Sequence, residues 1–205
     1  LICFFAVVIV GGCSAFGVIS GIIASAPSIE DIDATPTGYL TTVLDNQGNQ
    51  TATLVASGSN RKYVTINEIP INLQHAFVAI EDERFYDHNG IDLQGILRAG
   101  LKGVASGFHF SEGASTITQQ LLKNTVFTQW TSEQSMADKF ERKFQEQYLA
   151  LQLEKVVDKD WILENYLNAI NLGQNTLGVG VASERYFGKD VSDLTLSECA
   201  VLAAI

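Results

Sequence analysis

The chain has 205 residues, 46% of them hydrophobic and 18% charged, which suits one compact domain plus an additional segment; no repeat or low-complexity tract is present. Thirteen Lys and Arg against 23 Asp and Glu give a net charge of −10, which argues against nucleic acid as a partner and requires any anionic substrate to be met by a local cationic cluster. Cys3, Cys13 and Cys199 suggest no disulfide framework, and His75, His88 and His109 show no metal-ligand spacing.

From Leu1 to Ser28 the chain carries no charged residue. About 20 apolar residues span a bilayer as a helix, so Leu1 to about Ile23 reads as a transmembrane anchor, assigned to residues 1–26 and cut at its front. A cleaved signal peptide competes, because Ala24-Ser25-Ala26 resembles a cleavage site, but the apolar stretch exceeds the usual signal core. "VGGC", ending at Cys13, faintly resembles a lipoprotein processing site, although the apolar run continues past it. No basic flank gives an orientation.

Residues 27–69 read as an extended β connector: "TTVLDNQGNQTATLV" places β-branched runs around Asp45-Asn46-Gln47-Gly48, a hairpin signal, and "RKYVTINEI" reads as a third strand. Residues 70–205 read as a helical domain with helices at 72–88, 92–104, 115–126, 133–156, 159–171, 177–186 and 195–205. "SGFHFSEGAS", 106–115, reads as a mobile loop, and "LSECAVLAAI" stops within a helical pattern, as a domain cut at its back would.

Three stretches carry chemistry. In "AIEDERFYDHNG", 79–90, Leu73, Ala76, Phe77 and Ile80 set an apolar stripe with Asn72 as N-cap, and Glu81 falls on its flank. A partly desolvated carboxylate there is suited to take a proton near neutral pH, so Glu81 is the candidate general base, with Asp82, Glu83 and Asp87 structural or exposed. A solvated helix end is the bland alternative. In "EGASTITQQLLKN", 112–124, Ser115 or Thr116 opens a helix whose N–H groups suit an anion, and Gln119, Gln120 and Lys123 share a face, as a diphosphate site would need; an amphipathic helix with a polar outer side explains the pattern equally well. In "ERKFQEQYLALQLEK", 141–155, Arg142, Lys143 and Glu146 form either a surface ion pair or an anion clamp containing a second carboxylate.

"EDERFYDHNG", "GASTITQQLLKN", "RKFQE", "ILENYLNAINLG" and "ASERYFGK", in this order, resemble the peptidoglycan glycosyltransferase domain of class A penicillin-binding proteins and their monofunctional relatives, glycosyltransferase family 51, over about residues 60–205. The resemblance implies a mainly α, lysozyme-like domain behind a transmembrane helix and β-hairpin connector. It would be single-pass in the cell membrane, with its catalytic domain on the extracytoplasmic side, and would polymerise lipid II into β-1,4 glycan strands with inversion and release of undecaprenyl diphosphate. On that resemblance Glu81 matches the catalytic base and Glu146 the second, supportive glutamate. Arg98, Lys123, Arg142 and Lys143 match positions that bind diphosphate or orient sugars, beside Ser115, Thr116, Gln119 and Gln120. Asp82, Phe85, His88 and Gly90 match motif-shaping positions. No cofactor is required; a divalent cation, Mg or Mn, is an option with Glu146 as its ligand. The implied partners are lipid II, the growing glycan chain, the cytoplasmic membrane, a C-terminal transpeptidase domain and cell-wall synthesis proteins. Gln174-Asn175-Thr176 depart from relatives that carry glycines there.

Two other classes compete. A lysozyme-like cleaving enzyme would use a glutamic acid but has no need of Lys123, Arg142 and Lys143. An inactive membrane-anchored module binding glycan or divisome proteins would be expected to lose Glu81 or Glu146, and both are present.

Overall fold

The computed structural model describes residues 2–56, 58–107 and 113–205; the side chains of residues 2–11 and 15 lie outside that description. Among the described residues the protein is mainly helical, with eight α-helices and one two-stranded sheet. The segment read as an anchor is helix α1, Ile2–Ala24. Among the described residues no helix is long and apolar enough to cross a membrane. The end of α1 is tied to the domain: Gln145 Nε2 donates to Ile22 O at 3.3 Å and to Ser25 Oγ at 3.1 Å.

Strands β1, Thr41–Leu44, and β2, Gln50–Leu54, pair antiparallel from Thr41↔Leu54 to Leu44↔Gln50, with an irregularity between Val43 and Leu44. The Asp45 carboxylate closes the turn by accepting from the backbone N–H of Gln47 and of Asn49, each at 2.8 Å, an Asx turn. The expected third strand does not form. Residues 61–69 are drawn onto the helical domain instead: Arg61 Nε donates to Asn168 O at 2.6 Å, and the Asn168 amide brackets the backbone of Val64, accepting at 2.9 Å and donating at 2.8 Å.

The remaining helices are α2 (Ile71–Glu81), α3 (Leu93–Ala105), α4 (Ile117–Thr125), α5 (Met136–Leu153), α6 (Lys159–Ala169), α7 (Gly178–Phe187) and α8 (Leu196–Ala203). A 3-10 turn, Thr128–Ser132, stands ahead of α5. Polar side chains start several helices: Thr116 caps α4, Ser135 α5 and Asp158 α6, while Thr195 and Glu198 form a capping box on α8. The core centres on α4, whose Ile117, Leu121 and Leu122 are fully buried against Leu149 of α5 and Leu163 and Leu167 of α6. Each such Leu or Ile contributes about 1.5–3 kcal/mol by leaving water. In contrast, α3 turns Leu93, Leu97, Leu101 and Val104 outward.

Two boundaries differ from the sequence expectation in ways that shape the site. Helix α2 starts after Pro70 rather than at Asn72, and it stops at Glu81 instead of running to residue 88. Asp82, at φ −159° and ψ 74°, leaves the helical region, and two turns follow, closed by Phe85 N–H to Asp82 O and Asp87 N–H to Arg84 O. Most of the loop expected at 106–115, residues 108–112, lies outside the described residues.

Candidate active site

The stop of α2 decides where Glu81 goes. Its stripe is Leu73, Phe77 and Val78, whereas Ile80 and Glu81 are exposed, which corrects the expectation of a desolvated Glu81. The buried member of the pair is Asp82, at 6% exposure. Both its oxygens face His88 Nε2, at 3.0 and 2.9 Å, and Oδ2 also accepts the backbone N–H of Ile117 at 3.0 Å. Asp82 therefore joins the end of α2 to the N-terminus of α4, where a negative charge is favoured by the helix dipole. Phe85 is fully buried, and Lys159 Nζ lies 4.4 Å from its ring centre.

The N-terminus of α4 receives an anion from within the chain: the Ile117 N–H donates to the Asp82 carboxylate, and the Gln119 N–H donates to Thr116 Oγ1. Thr116 is itself buried and donates to Gly90 O at 2.8 Å. Gln119 is buried as well, its amide donating to Gly90 O at 3.2 Å, so its polar group serves the fold. Gly90 must be glycine: its φ is +87°, and a Cβ there would fall 2.6 Å from the carbonyl of Ala150 on α5.

The neighbouring Gln120 faces the other way. Its Nε2 donates to Glu81 Oε2 at 2.9 Å, and its Oε1 lies 3.3 Å from the hydroxyl of Tyr166 on α6. Burial pushes the Tyr166 phenol above its ordinary pKa, and the Glu81 and Asp82 carboxylates add to this, so it remains a proton donor.

Glu81 lies between two hollows. A cleft of about 170 Å³ is lined by residues 79–84, Asp92, Gly95, Arg98 and residues 113–116. Arg98 on α3 pairs with the exposed Glu83 at 2.7 Å. A second hollow of about 220 Å³ is lined by Glu81, Ser115, Gln119, Gln120, Lys123 and Lys143.

Behind the second hollow stands the cationic cluster. Glu146 is fully buried and carries Arg142 on one oxygen and Lys143 Nζ, at 2.9 Å, on the other. Lys143 also donates to Ser115 Oγ at 2.8 Å, and Arg142 Nε pairs with Glu133 Oε1 at 2.7 Å. Lys123 Nζ lies 3.8 Å from the centre of the Trp130 ring, a cation–π contact. Burial lowers the Lys123 pKa; Glu146 opposes this, while Lys143 and Arg142 reinforce it. Three cations against Glu133 and Glu146 leave one positive charge facing Glu81, in a chain of net charge −10.

The structure thus brings together Glu81, Ser115, Gln120, Lys123, Arg142, Lys143 and Glu146, with Arg98 on the far wall of the first cleft. Sequence reasoning missed Glu133, Trp130 and Tyr166. Trp130 and Glu133 fall outside the recognised motifs, and Tyr166 is indistinguishable from a core aromatic in "ENYLN".

The geometry defines a helical domain with an open carboxylate facing a buried-glutamate cation cluster. The family model described as Transglycosylase matches residues 47–205. Penicillin-binding protein 1A of Clostridium perfringens (strain 13 / Type A) is 46% identical over 188 residues, 90% of this chain and 26% of that protein. Penicillin-binding protein 1A of Clostridium novyi (strain NT) is 42% identical over 195 residues, 94% and 22% of the two chains. Penicillin-binding protein 1F of Bacillus subtilis (strain 168) is 45% identical over 164 residues, 80% and 21%. With most of its length matched, the chain belongs to the transglycosylase family. It spans about a quarter of the length of these relatives.

Proposed function

We propose that the domain is a peptidoglycan glycosyltransferase that polymerises lipid II into β-1,4 glycan strands, inverting the donor anomeric carbon and releasing undecaprenyl diphosphate. One observation carries the reading: an exposed Glu81 sharing a hollow with Lys123 and Lys143, in a chain of the transglycosylase family. Glu81 takes the proton of the acceptor 4-hydroxyl as its oxygen attacks C1 of the donor, and the C1–O bond to the diphosphate breaks. Because the leaving group departs as an anion, the site needs positive charge at that oxygen more than it needs an acid. Lys123, Arg142 and Lys143 supply it, and Glu146 fixes the last two. Arg98 and Ser115 orient the sugars and diphosphate, while Asp82, Phe85, His88, Thr116, Gln119 and Gly90 hold the frame.

No step is assigned to a divalent cation. Glu146 is the residue that would hold Mg or Mn: its Oε1 is paired with Arg142, while its Oε2 lies 2.9 Å from Lys143 Nζ but is buried without a hydrogen bond.

The reading extends to a lysozyme-like fold anchored by α1, with the catalytic domain outside the cytoplasmic membrane. What supports the anchor is the sequence, which has no charged residue from Leu1 to Ser28, although among the described residues no helix is long and apolar enough to cross a membrane. The outward apolar stripe of α3 suits an enzyme whose substrates reside in lipid. A C-terminal transpeptidase domain and other cell-wall synthesis proteins are the expected partners.

The test is incubation of the full protein with labelled lipid II and, separately, with preformed glycan. Polymer with released undecaprenyl diphosphate supports the reading. Shortening of preformed glycan without polymer would replace it with the cleaving enzyme.

A further inference from the structure

Among the described residues, the side-chain polar contacts of Gln120 run to the base on one side and to a single buried hydroxyl on the other. Its Nε2 donates to Glu81 Oε2 at 2.9 Å, and its Oε1 faces Tyr166 Oη at 3.3 Å. A glutamine amide presents two donors on one side and an acceptor on the other, and only one orientation is productive toward a carboxylate. If the amide turned over, its carbonyl oxygen would oppose Glu81. Tyr166 is 3% exposed, and its ring is fixed edge-to-face against Phe77, with centroids 6.2 Å apart at 80°. A buried phenol needs an acceptor, and the Gln120 carbonyl is the one the geometry offers.

We propose that Tyr166 is a positioning residue for the base: by donating to Gln120 Oε1 it locks the amide so that Nε2 engages Glu81 Oε2 and leaves Oε1 of Glu81 free to receive the acceptor's proton. This rests on the glycosyltransferase reading of the site. Tyr166 touches no substrate in this scheme and exchanges no proton with Glu81. Its contribution is directional, since raised by burial and by two carboxylates the hydroxyl stays a donor throughout the working pH range.

The experiment is a double-mutant cycle on the full protein with labelled lipid II, using Tyr166→Phe, Gln120→Ala and the pair. Tyr166→Phe keeps the ring and removes one oxygen. Losing a single neutral hydrogen bond, it should lower kcat about three- to tenfold, with KM changed less than twofold. In the Gln120→Ala background the same change should have almost no effect, because the hydroxyl then has nothing to orient. A purely structural tyrosine would instead multiply its loss with that of Gln120→Ala, and that result overturns the proposal, as does an unchanged kcat in Tyr166→Phe. Should Tyr166→Phe fold poorly, Gln120→Ala tests the link from its other end: it must lose at least threefold in kcat, and wild-type activity in it overturns the proposal. A wild type that polymerises normally while the cycle is additive refutes only the role of Tyr166. A wild type that makes no polymer refutes the reading of the site, and this proposal with it.

Discussion

Gly90 is the point where three site-bearing segments meet, and Gly90→Ala measures how tightly they are held. At φ +87° an L-residue is strained by roughly 1–2 kcal/mol. The added Cβ would lie 2.6 Å from both Ala150 C and Ala150 O and 2.9 Å from Leu151 N. Carbon contacts settle near about 3.5 Å, so the turn and the α5 backbone must separate by about 1 Å. Overpacking of this kind adds typically about 1–3 kcal/mol, giving a total loss of about 2–5 kcal/mol. Gly188, which ends α7 at φ +67°, is the control, because nothing lies within 4 Å of a Cβ there and Gly188→Ala suffers the conformational strain alone. Urea unfolding of the two variants, compared by midpoint at equal slope, isolates the contact. Gly90→Ala should also lose polymerisation. Its carbonyl receives Thr116 Oγ1 and Gln119 Nε2, so moving it moves the start of α4, which carries Gln120 and Lys123. A Gly90→Ala protein no less stable than Gly188→Ala would refute the reasoning.

Three further outcomes follow from the same geometry. Trp130→Ala removes the ring over Lys123, a contact worth about 0.5–2 kcal/mol, so KM for lipid II should rise roughly 2- to 30-fold while Trp130→Phe retains most of the effect; steady-state kinetics decide. Glu146→Gln leaves Arg142 and Lys143 without their buried counter-charge, and a loss of about 3 kcal/mol should lower Tm by roughly 6–12 °C; an unchanged melt would contradict the buried pairing. The hydrogen bond from Arg84 holds the Asp92 carboxyl down at about 2, below its ordinary 3.8. A depressed carboxylate contributes stability above its unfolded pKa and loses it as pH falls through the folded one, so Asp92→Asn should flatten the stability curve between about pH 4 and 2; parallel curves for variant and wild type would contradict the pairing.

The helical order and the hairpin were legible because each rests on local signals: periodic apolar residues, a polar cap, an Asp closing a turn. The clustering of Lys123, Arg142 and Lys143 was legible only through the family resemblance, since α4 and α5 are adjacent in space for reasons of packing. What the sequence concealed were matters of rotation and termination. Whether Gln119 or Gln120 reaches Glu81 depends on a step of about 100° around a nine-residue helix that buries polar Thr118 and Gln119 beside Ile117, Leu121 and Leu122, and that is settled by α5 and α6 enclosing α4. The exposure of Glu81 follows from the chain leaving the helix at Asp82, where a buried carboxylate is claimed by His88 and by the Ile117 N–H, 35 residues away. The third strand failed for a similar reason: the polar pull of Asn168 on Val64 outweighs any pairing with an exposed hairpin.

The central claim is that Glu81 is the base, and the measurement that reaches it most directly is the polymerisation rate from labelled lipid II by the full protein, wild type against Glu81→Gln. Glu81 is exposed, so the substitution should leave the thermal melt within a degree or two of wild type. Removal of a general base should then lower kcat by about 10²–10⁴-fold. A variant that polymerises within about threefold of wild type would show that the proton leaves the acceptor by another route, and the account of this site would fall.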